Sequence, residues 1–146
     1  MFEGTPQEIA DRRAHIVTLA QEWVSTPFHD CSGIKGVGCD CIHLAKCVYV
    51  AAGLVPDFEL PSYKPQWFLH RDEPLILNGL AERMRQVETG LPGDLEMYSF
   101  GRHAAHCAIV ISEHAMIHAY KPVGFVTVGD RAEFASRRHS IWSFFP

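Results

Sequence analysis

The hydrophobic period of this chain changes at Leu91-Pro92-Gly93, and that change limits the folds open to it. Before the tripeptide, apolar residues recur at helical spacing; after it they alternate with a period of two. Ile9, Ile16, Leu19, Ala20 and Trp23 predict a first helix from Pro6 to about Val24, capped by Thr5 and ended by Ser25-Thr26-Pro27. Leu44, Ala45, Val48 and Ala51 form the core stripe of a second. It starts at Asp40 or Cys41, runs to about Ala52, and is stopped by Gly53 and Pro56. A third is predicted over 74–87 from Leu75, Leu80 and Met84. Residues 27–39 read as a loop punctuated by Gly33, Gly36 and Gly38. The stretch 54–73 is irregular and aromatic-rich, and loops of that length are usually functional. Strands are predicted at 94–99, 105–111, 115–120, 123–128 and 139–145. Helices first and a strand meander afterwards predict an α+β domain, with the N-terminal helices packed on an antiparallel sheet. Without repeats or a linker, the 146 residues 1–146 read as a single domain.

Charge removes several classes of partner. Thirteen Lys and Arg stand against 17 Asp and Glu, and beyond Arg137-Arg138 there is no basic run, so no nucleic acid is expected as a ligand. The longest apolar stretch, Cys47 to Val55, is far below the ~20 residues that span a bilayer, so no membrane is expected either. The first residues, MFEGTPQEIADRR, lack the basic and apolar regions of a secretory signal. Five cysteines, two of them at positions 39 and 41, do not read as a disulfide framework; free thiols made in the cytoplasm are expected.

The sequence GVGCDC at 36–41 leads directly into the second helix. A helix N-terminus presents unpaired N–H groups and a partial positive charge, which favours a thiolate. Asp40 is a natural cap, and the glycines before it let backbone approach a substrate closely. Cys41 therefore reads either as an activated nucleophile or as a small buried residue. Cys39-x-Cys41-x-His43 with Cys31 nearby also invites a zinc reading. Its spacing is poor and a second ligand pair is missing, so no metal and no cofactor is expected.

A cysteine nucleophile needs a base, and the candidates lie in HAAHCAIVISEHAMIHAY, residues 103–120. If residues 112–114 form a three-residue hairpin, 111 pairs with 115 and 108 with 118. His106 and His118 are then diagonal neighbours on one sheet face, so that one histidine orients the other. His103 remains a minor rival for the base, and Asp94 and Glu96 are the nearest carboxylates in sequence. His15, His29, His70, His114 and His139 read as surface or loop residues.

These motifs together resemble the NlpC/p60 cell-wall cysteine peptidases, a branch of the papain-like fold, and within it the phage-tail and gene-transfer-agent type. The resemblance runs through WVSTPF (23–28), KGVGCDC (35–41), VYVAAGL, PGDLEMY (92–98), HCAIVI (106–111) and MIHA (116–119). It implies Cys41 as nucleophile, His106 as base and His118 as the residue that orients the base. It also implies hydrolysis of peptidoglycan stem peptides, often between D-γ-glutamate and diaminopimelate, without a cofactor. Two departures stand out. The family usually has Tyr where Phe28 stands, and small residues where Ile42 and His43 follow the nucleophile. Phe28, Asp40 and His43 are therefore candidate substrate-binding residues. Tyr63 and Trp67 of the 54–73 loop either stack on a stem peptide or cover the core. Two other readings stay open: a phage-tail structural or binding protein with a degenerate peptidase fold, and an amidase or acyltransferase of the same fold. A wall hydrolase without an export signal is expected to be carried by a phage or tail-like particle, with tail proteins as partners, or released by lysis.

Overall fold

Thr5 and Pro6 start the first helix as their residue types require. The Thr5 hydroxyl accepts from the Glu8 N–H at 3.1 Å while the Glu8 carboxylate accepts from the Thr5 N–H at 2.9 Å, a reciprocal capping box. The computed structural model describes residues 2–58, 82–100 and 103–146, apart from the side chains of 103–105. Helix α1 covers Pro6–Gln21 and buries Ile16 and Ala20. It ends three residues earlier than the periodicity predicts. The Trp23 N–H turns back to the Ala20 carbonyl, and Ser25, with φ 77°, donates its N–H to Val126 on the sheet. That cross-link to a strand ends the helix before Pro27 can.

Helix α2, Cys41–Ala51, buries Cys41, Leu44, Ala45, Val48 and Tyr49. The expected stripe shifts at its end: Ala51 is exposed, and Ala52 and Tyr49 take the inner position, with the Tyr49 hydroxyl donating to the Gly93 carbonyl at 2.9 Å. The loop before α2 contains a short hairpin of β1 (Gly33–Ile34) and β2 (Gly38–Cys39).

The remaining strands are β3 (Arg85–Val87), β4 (Leu95–Phe100), β5 (His103–Val110), β6 (Ala115–Tyr120), β7 (Phe125–Asp130) and β8 (Arg138–Ser143). They form one antiparallel sheet in the order β3-β8-β4-β5-β6-β7. The five predicted strands are all present, shifted by at most two residues at their starts and ends. Most of the predicted helix over 74–87 lies outside the described residues, but its last turn is corrected. Arg85, Gln86 and Val87 pair with Ser143, Trp142 and Ile141 as a sheet-edge strand. Too little of that strand is buried for it to show a period of two.

One face of the sheet packs on α1 and α2 through Leu95, Met97, Cys107, Ile109, Ile117 and Trp142. Arg13 ties α1 to the turn before β4, with Nη1 2.8 Å from the Asp94 carboxylate. The opposite face carries a smaller cluster of Tyr98, Ala108 and Met116, with Phe100 and Phe134 against it. Phe134 comes from a 3₁₀ helix, Arg131–Arg137, between β7 and β8. That segment is held by Glu96 of β4, which is fully buried and ion-paired to both Arg131 and Arg138. Arg131 also donates through Nη1 to the Glu113 carbonyl at 2.8 Å, so it clamps the β5–β6 turn to β4.

Glu96 is therefore expected to matter more than either exposed end of its network. Glu96→Ala strands the Arg131 charge in the interior and is expected to cost about 3–5 kcal/mol in chemical denaturation. Arg138, 31% exposed, leaves Glu96 paired when removed, and Arg138→Ala is expected to cost about 1 kcal/mol or less. Equal, small losses for both variants would contradict this account of the clamp.

Candidate active site

The segment before α2 is held on two sides. Cys39 donates its N–H to the Pro27 carbonyl at 3.0 Å and accepts from the His29 N–H at 2.9 Å. Phe28 donates in turn to the Gly124 carbonyl at 2.8 Å, which links the segment to the turn before β7. Gly38 is required by this close approach, because a Cβ there would lie 2.9 Å from the His29 Cβ. The Asp40 carboxylate then accepts from the His43 N–H at 2.9 Å and from the Cys31 N–H at 2.7 Å. Asp40 is thus the N-cap, and Cys41 is the first residue of the helix.

Cys41 is buried, and its thiol is held below the usual range. The largest cause is a hydrogen bond with the Cys107 thiol. The His106 ring acts in the same direction by hydrogen bond and charge, while burial and the Asp40 carboxylate oppose them. Cys107 takes the reverse shift and keeps its proton; its Sγ lies 3.3 Å from the Cys41 carbonyl oxygen. Cys39, two residues away, is fully buried, and its thiol is pushed up to about 12, first by burial and then by Asp40. Neighbouring cysteines therefore have opposite chemistry.

The two histidines meet as their spacing predicts. Ile109 pairs with Ile117 and Val110 with Met116, the register of a three-residue turn at 112–114. His106 Nε2 and His118 Nδ1 are 2.8 Å apart. With Nε2 so engaged, Nδ1 is the His106 nitrogen left for the Cys41 thiol. His118 is brought down to about 3, by burial first and by the adjacent His106 second, so it stays neutral. A neutral His118 that carries its proton on Nε2 accepts from His106 through Nδ1, which holds the His106 ring in one orientation. Gly129 of β7 makes room for this, since a Cβ there would lie 2.8 Å from His118 Nε2.

Further aromatic rings surround the pair. His118 stacks on Tyr120 with centroids 5.0 Å apart and planes 9° apart, and Phe134 meets its edge at 5.4 Å. Tyr98 stacks on His106 at 6.0 Å. The Tyr120 contact was legible in the alternation Met116, His118, Tyr120, and Tyr98 pairs directly with His106 across β4 and β5. Phe134 had no such signal, because its place depends on the buried Glu96 clamp.

The other expected site residues are placed as follows. Phe28 is half-buried and bridges to Cys39, beside the segment that leads into Cys41. His43 bonds the Asp40 carboxylate through Nδ1 at 2.9 Å and lies against Gly33. Two residues along a helix are roughly 200° apart around its axis, so His43 belongs to the cap and not to the Cys41 side of α2. Tyr63 and Trp67 lie outside the described residues, as does His70. Asp94 and Glu96 are engaged by arginines and stand away from the orienting role. His15, His29, His114 and His139 are exposed, as expected. Among the described residues no group of three or more His, Cys, Asp or Glu is placed to hold a metal ion, and no helix is long and apolar enough to cross a membrane.

No protein-family model and no curated protein matches the chain by sequence. Solved structures do match it by shape. The NlpC/p60 domain of the peptidoglycan hydrolase SagA is 23% identical, with a TM-score of 0.61, covering 90% of this chain and 97% of that one. The peptidoglycan hydrolase RipB from Mycobacterium tuberculosis is 16% identical, with a TM-score of 0.67, over 96% of this chain and 67% of that one. NlpC1 from Trichomonas vaginalis is 14% identical, with a TM-score of 0.66 over 98% of this chain, which spans about half (47%) of that protein. The fold is the NlpC/p60 fold: α+β, with helices packed on an antiparallel sheet.

The lowered Cys41 thiol sets a pH profile. A thiol of pKa ≈ 8.5 loses roughly 50-fold in alkylation rate between pH 8.5 and 6.5, as its thiolate fraction falls. Cys41 has its thiolate stabilised, so its rate is expected to change only a few-fold over that range and to fall at lower pH. Iodoacetamide labelling in a Cys31→Ser background, read by peptide mass, measures it. Cys39 is expected to stay unlabelled until the protein unfolds. Labelling of Cys39 before Cys41 would identify the wrong thiol as reactive.

Proposed function

We propose that this protein is a cysteine peptidase that hydrolyses peptidoglycan stem peptides by thiol acyl transfer, at the D-γ-glutamyl-diaminopimelate type of bond. The observation that carries the reading is the placement of Cys41 at the first position of α2, within hydrogen-bonding reach of a His106 whose other nitrogen is held by His118. Likeness in shape to the peptidoglycan hydrolases SagA and RipB supports the choice of substrate.

In the first half-reaction the Cys41 thiolate attacks the amide carbon, and the S–C bond forms as the carbonyl oxygen becomes an oxyanion. The backbone N–H of Cys41, at the helix start, is the proposed donor to that oxyanion. His106 then gives its proton to the leaving amine as the C–N bond breaks. In the second half-reaction His106 takes a proton from water, the hydroxide attacks the thioester, and Cys41 leaves as thiolate. His118 stays neutral and keeps the His106 ring aligned through both steps. Neither step calls on a metal or an organic cofactor.

A second reading has one feature in its favour. Phe28 has no hydroxyl to donate near the nucleophile, and the loss of one transition-state donor costs about 10²–10³ in rate. A degenerate tail protein that binds the wall without cutting it would fit that loss. An amidase or acyltransferase on another amide would use the same thiol chemistry. We also propose that a phage or gene-transfer-agent tail carries the protein to the wall. Co-fractionation with particles tests this, and recovery only in the cytosol would contradict it.

Digestion of purified peptidoglycan with mass analysis of the fragments separates these readings. New amino termini at the stem peptide are expected from the wild type. Cys41→Ala is expected to lose on the order of 10⁴–10⁶-fold, and His106→Ala nearly as much, because nucleophile and base act as a unit. His118→Asn is expected to lose less, since an amide still accepts from His106, and Cys39→Ser is expected to remain active. Wall binding with no fragment released would favour the structural reading, and activity in Cys41→Ala would overturn the mechanism.

A further inference from the structure

Cys107 has a reactive neighbour, and in the proposed hydrolysis it forms no bond to substrate and transfers no proton. It lies on β5 next to the base His106, is buried to 1% exposure, and belongs to the same core cluster as Cys41. Its thiol donates to the Cys41 carbonyl oxygen, with Sγ 3.3 Å away, which sets Cys107 directly against the first residue of α2. Three other cysteines are present, and none is placed in this way. Cys31 is exposed on the loop that Asp40 holds, Cys47 donates to the Gly33 carbonyl at 3.6 Å, and Cys39 is bridged to Phe28 in the loop layer. Simple packing does not require a thiol at 107; an apolar side chain would fill the space between α2 and β5 as well.

We infer that Cys107 is a resolving thiol for Cys41, so that a hydroperoxide converts the nucleophile into a reversible Cys41–Cys107 disulfide and not into a dead oxyacid. The inference rests on the reading of Cys41 as the nucleophile, and it adds a modification site and the class of oxidant that acts there. Three features of the site support it. The sulfenic acid formed on a reactive thiolate is lost to further oxidation unless a second thiol reaches it. The Cys107 thiol is already in hydrogen-bond contact with the Cys41 backbone, and closing the disulfide brings the two sulfurs to about 2.05 Å. Cys107 is fixed beside Cys41 by the fold, so it meets the sulfenic acid ahead of a thiol arriving from solution.

The chemistry balances in two steps. The Cys41 thiolate attacks the nearer oxygen of a hydroperoxide; the O–O bond breaks, the alkoxide takes up a proton, and Cys41 becomes a sulfenic acid, oxidised by two electrons. Cys107 sulfur then attacks the Cys41 sulfur; the S–O bond breaks, and the hydroxide leaves as water with the Cys107 proton. The sum is two thiols and one hydroperoxide giving one disulfide, one alcohol and one water. In the disulfide Cys41 can attack no substrate and its bond with His106 is lost, so the protein is silent until a dithiol reduces it.

The test oxidises the reduced full-length protein with about one equivalent of hydrogen peroxide per thiolate. Intact mass, a non-reducing peptide map and Cys41 alkylation are then read before and after dithiothreitol. The expected result is a loss of two hydrogen atoms, a 31–107 region map in which the Cys41 and Cys107 peptides are joined, and full return of Cys41 alkylation on reduction. In Cys107→Ala the join is absent, Cys41 gains oxygen atoms, and reduction does not restore alkylation. Cys107→Ser, closer in size, should behave the same way, and thermal melts of both variants establish that they are folded. Cys41 carrying oxygen in the wild type with Cys107 unjoined overturns the proposal alone, as does a join of Cys41 to Cys39. If Cys41 takes up neither oxygen nor iodoacetamide at neutral pH, the reading of Cys41 as the nucleophile falls together with it.

Discussion

The Asp40 carboxylate accepts hydrogen bonds from the N–H groups of Cys31 and His43, and the rest of the site depends on that connection. One bond closes the N-terminus of α2, and the other fastens the loop that precedes it. With both made, Cys41 has no freedom to slide along the helix or into the loop. His43 adds a third bond from its ring to the same carboxylate, so a residue that departs from the usual small side chain is taken up by the cap. The cap has an electrostatic consequence, because a carboxylate beside Cys41 disfavours the thiolate. Geometry and charge therefore pull in opposite directions at this helix start, and the charge has to be offset from elsewhere.

The offset comes from β5. Cys107 and His106 are adjacent on that strand and so point to opposite faces, yet both act on the Cys41 sulfur. Cys107 does so from the core beneath α2, and His106 from the side of the sheet that carries the second, aromatic cluster. Cys41 thus sits where the N-terminus of α2 meets β5. The face that bears His106 needs its own support, and Glu96 supplies it by drawing Arg131 and Arg138 onto β4. Through Arg131 the same buried charge reaches the β5–β6 turn and sets Phe134 against His118. The geometry of the histidine pair and the stability of the second cluster are consequently coupled through one glutamate.

The histidine pair was legible in sequence because it rests on local rules. A three-residue turn fixes the β5–β6 register, and a period of two then fixes the face, so residues 106 and 118 had to be neighbours. The start of α2 was legible for a similar reason, since Asp40 is a strong cap before an apolar run. Features that depend on distant charge or on edges were not. Glu96 read as an ordinary strand carboxylate until Arg131 and Arg138, more than thirty residues later, closed on it. The alternation of β5 placed Cys107 with Ile109, but it carried no information that the first turn of α2 lies over that position. The edge strand β3 shows no alternation because its side chains are largely exposed, and helix periodicity extended through it for want of a competing signal.

The central claim is that Cys41 becomes covalently acylated during turnover. Acid quenching of the protein during digestion of a soluble stem-peptide substrate, followed by intact mass and peptide mapping, tests this directly. The account predicts a transient adduct equal to the acyl portion of the cleaved peptide, located on Cys41 and labile to hydroxylamine as a thioester. An adduct on any other residue, or product formed at steady state with no adduct when deacylation is slowed by His118→Asn, would contradict it.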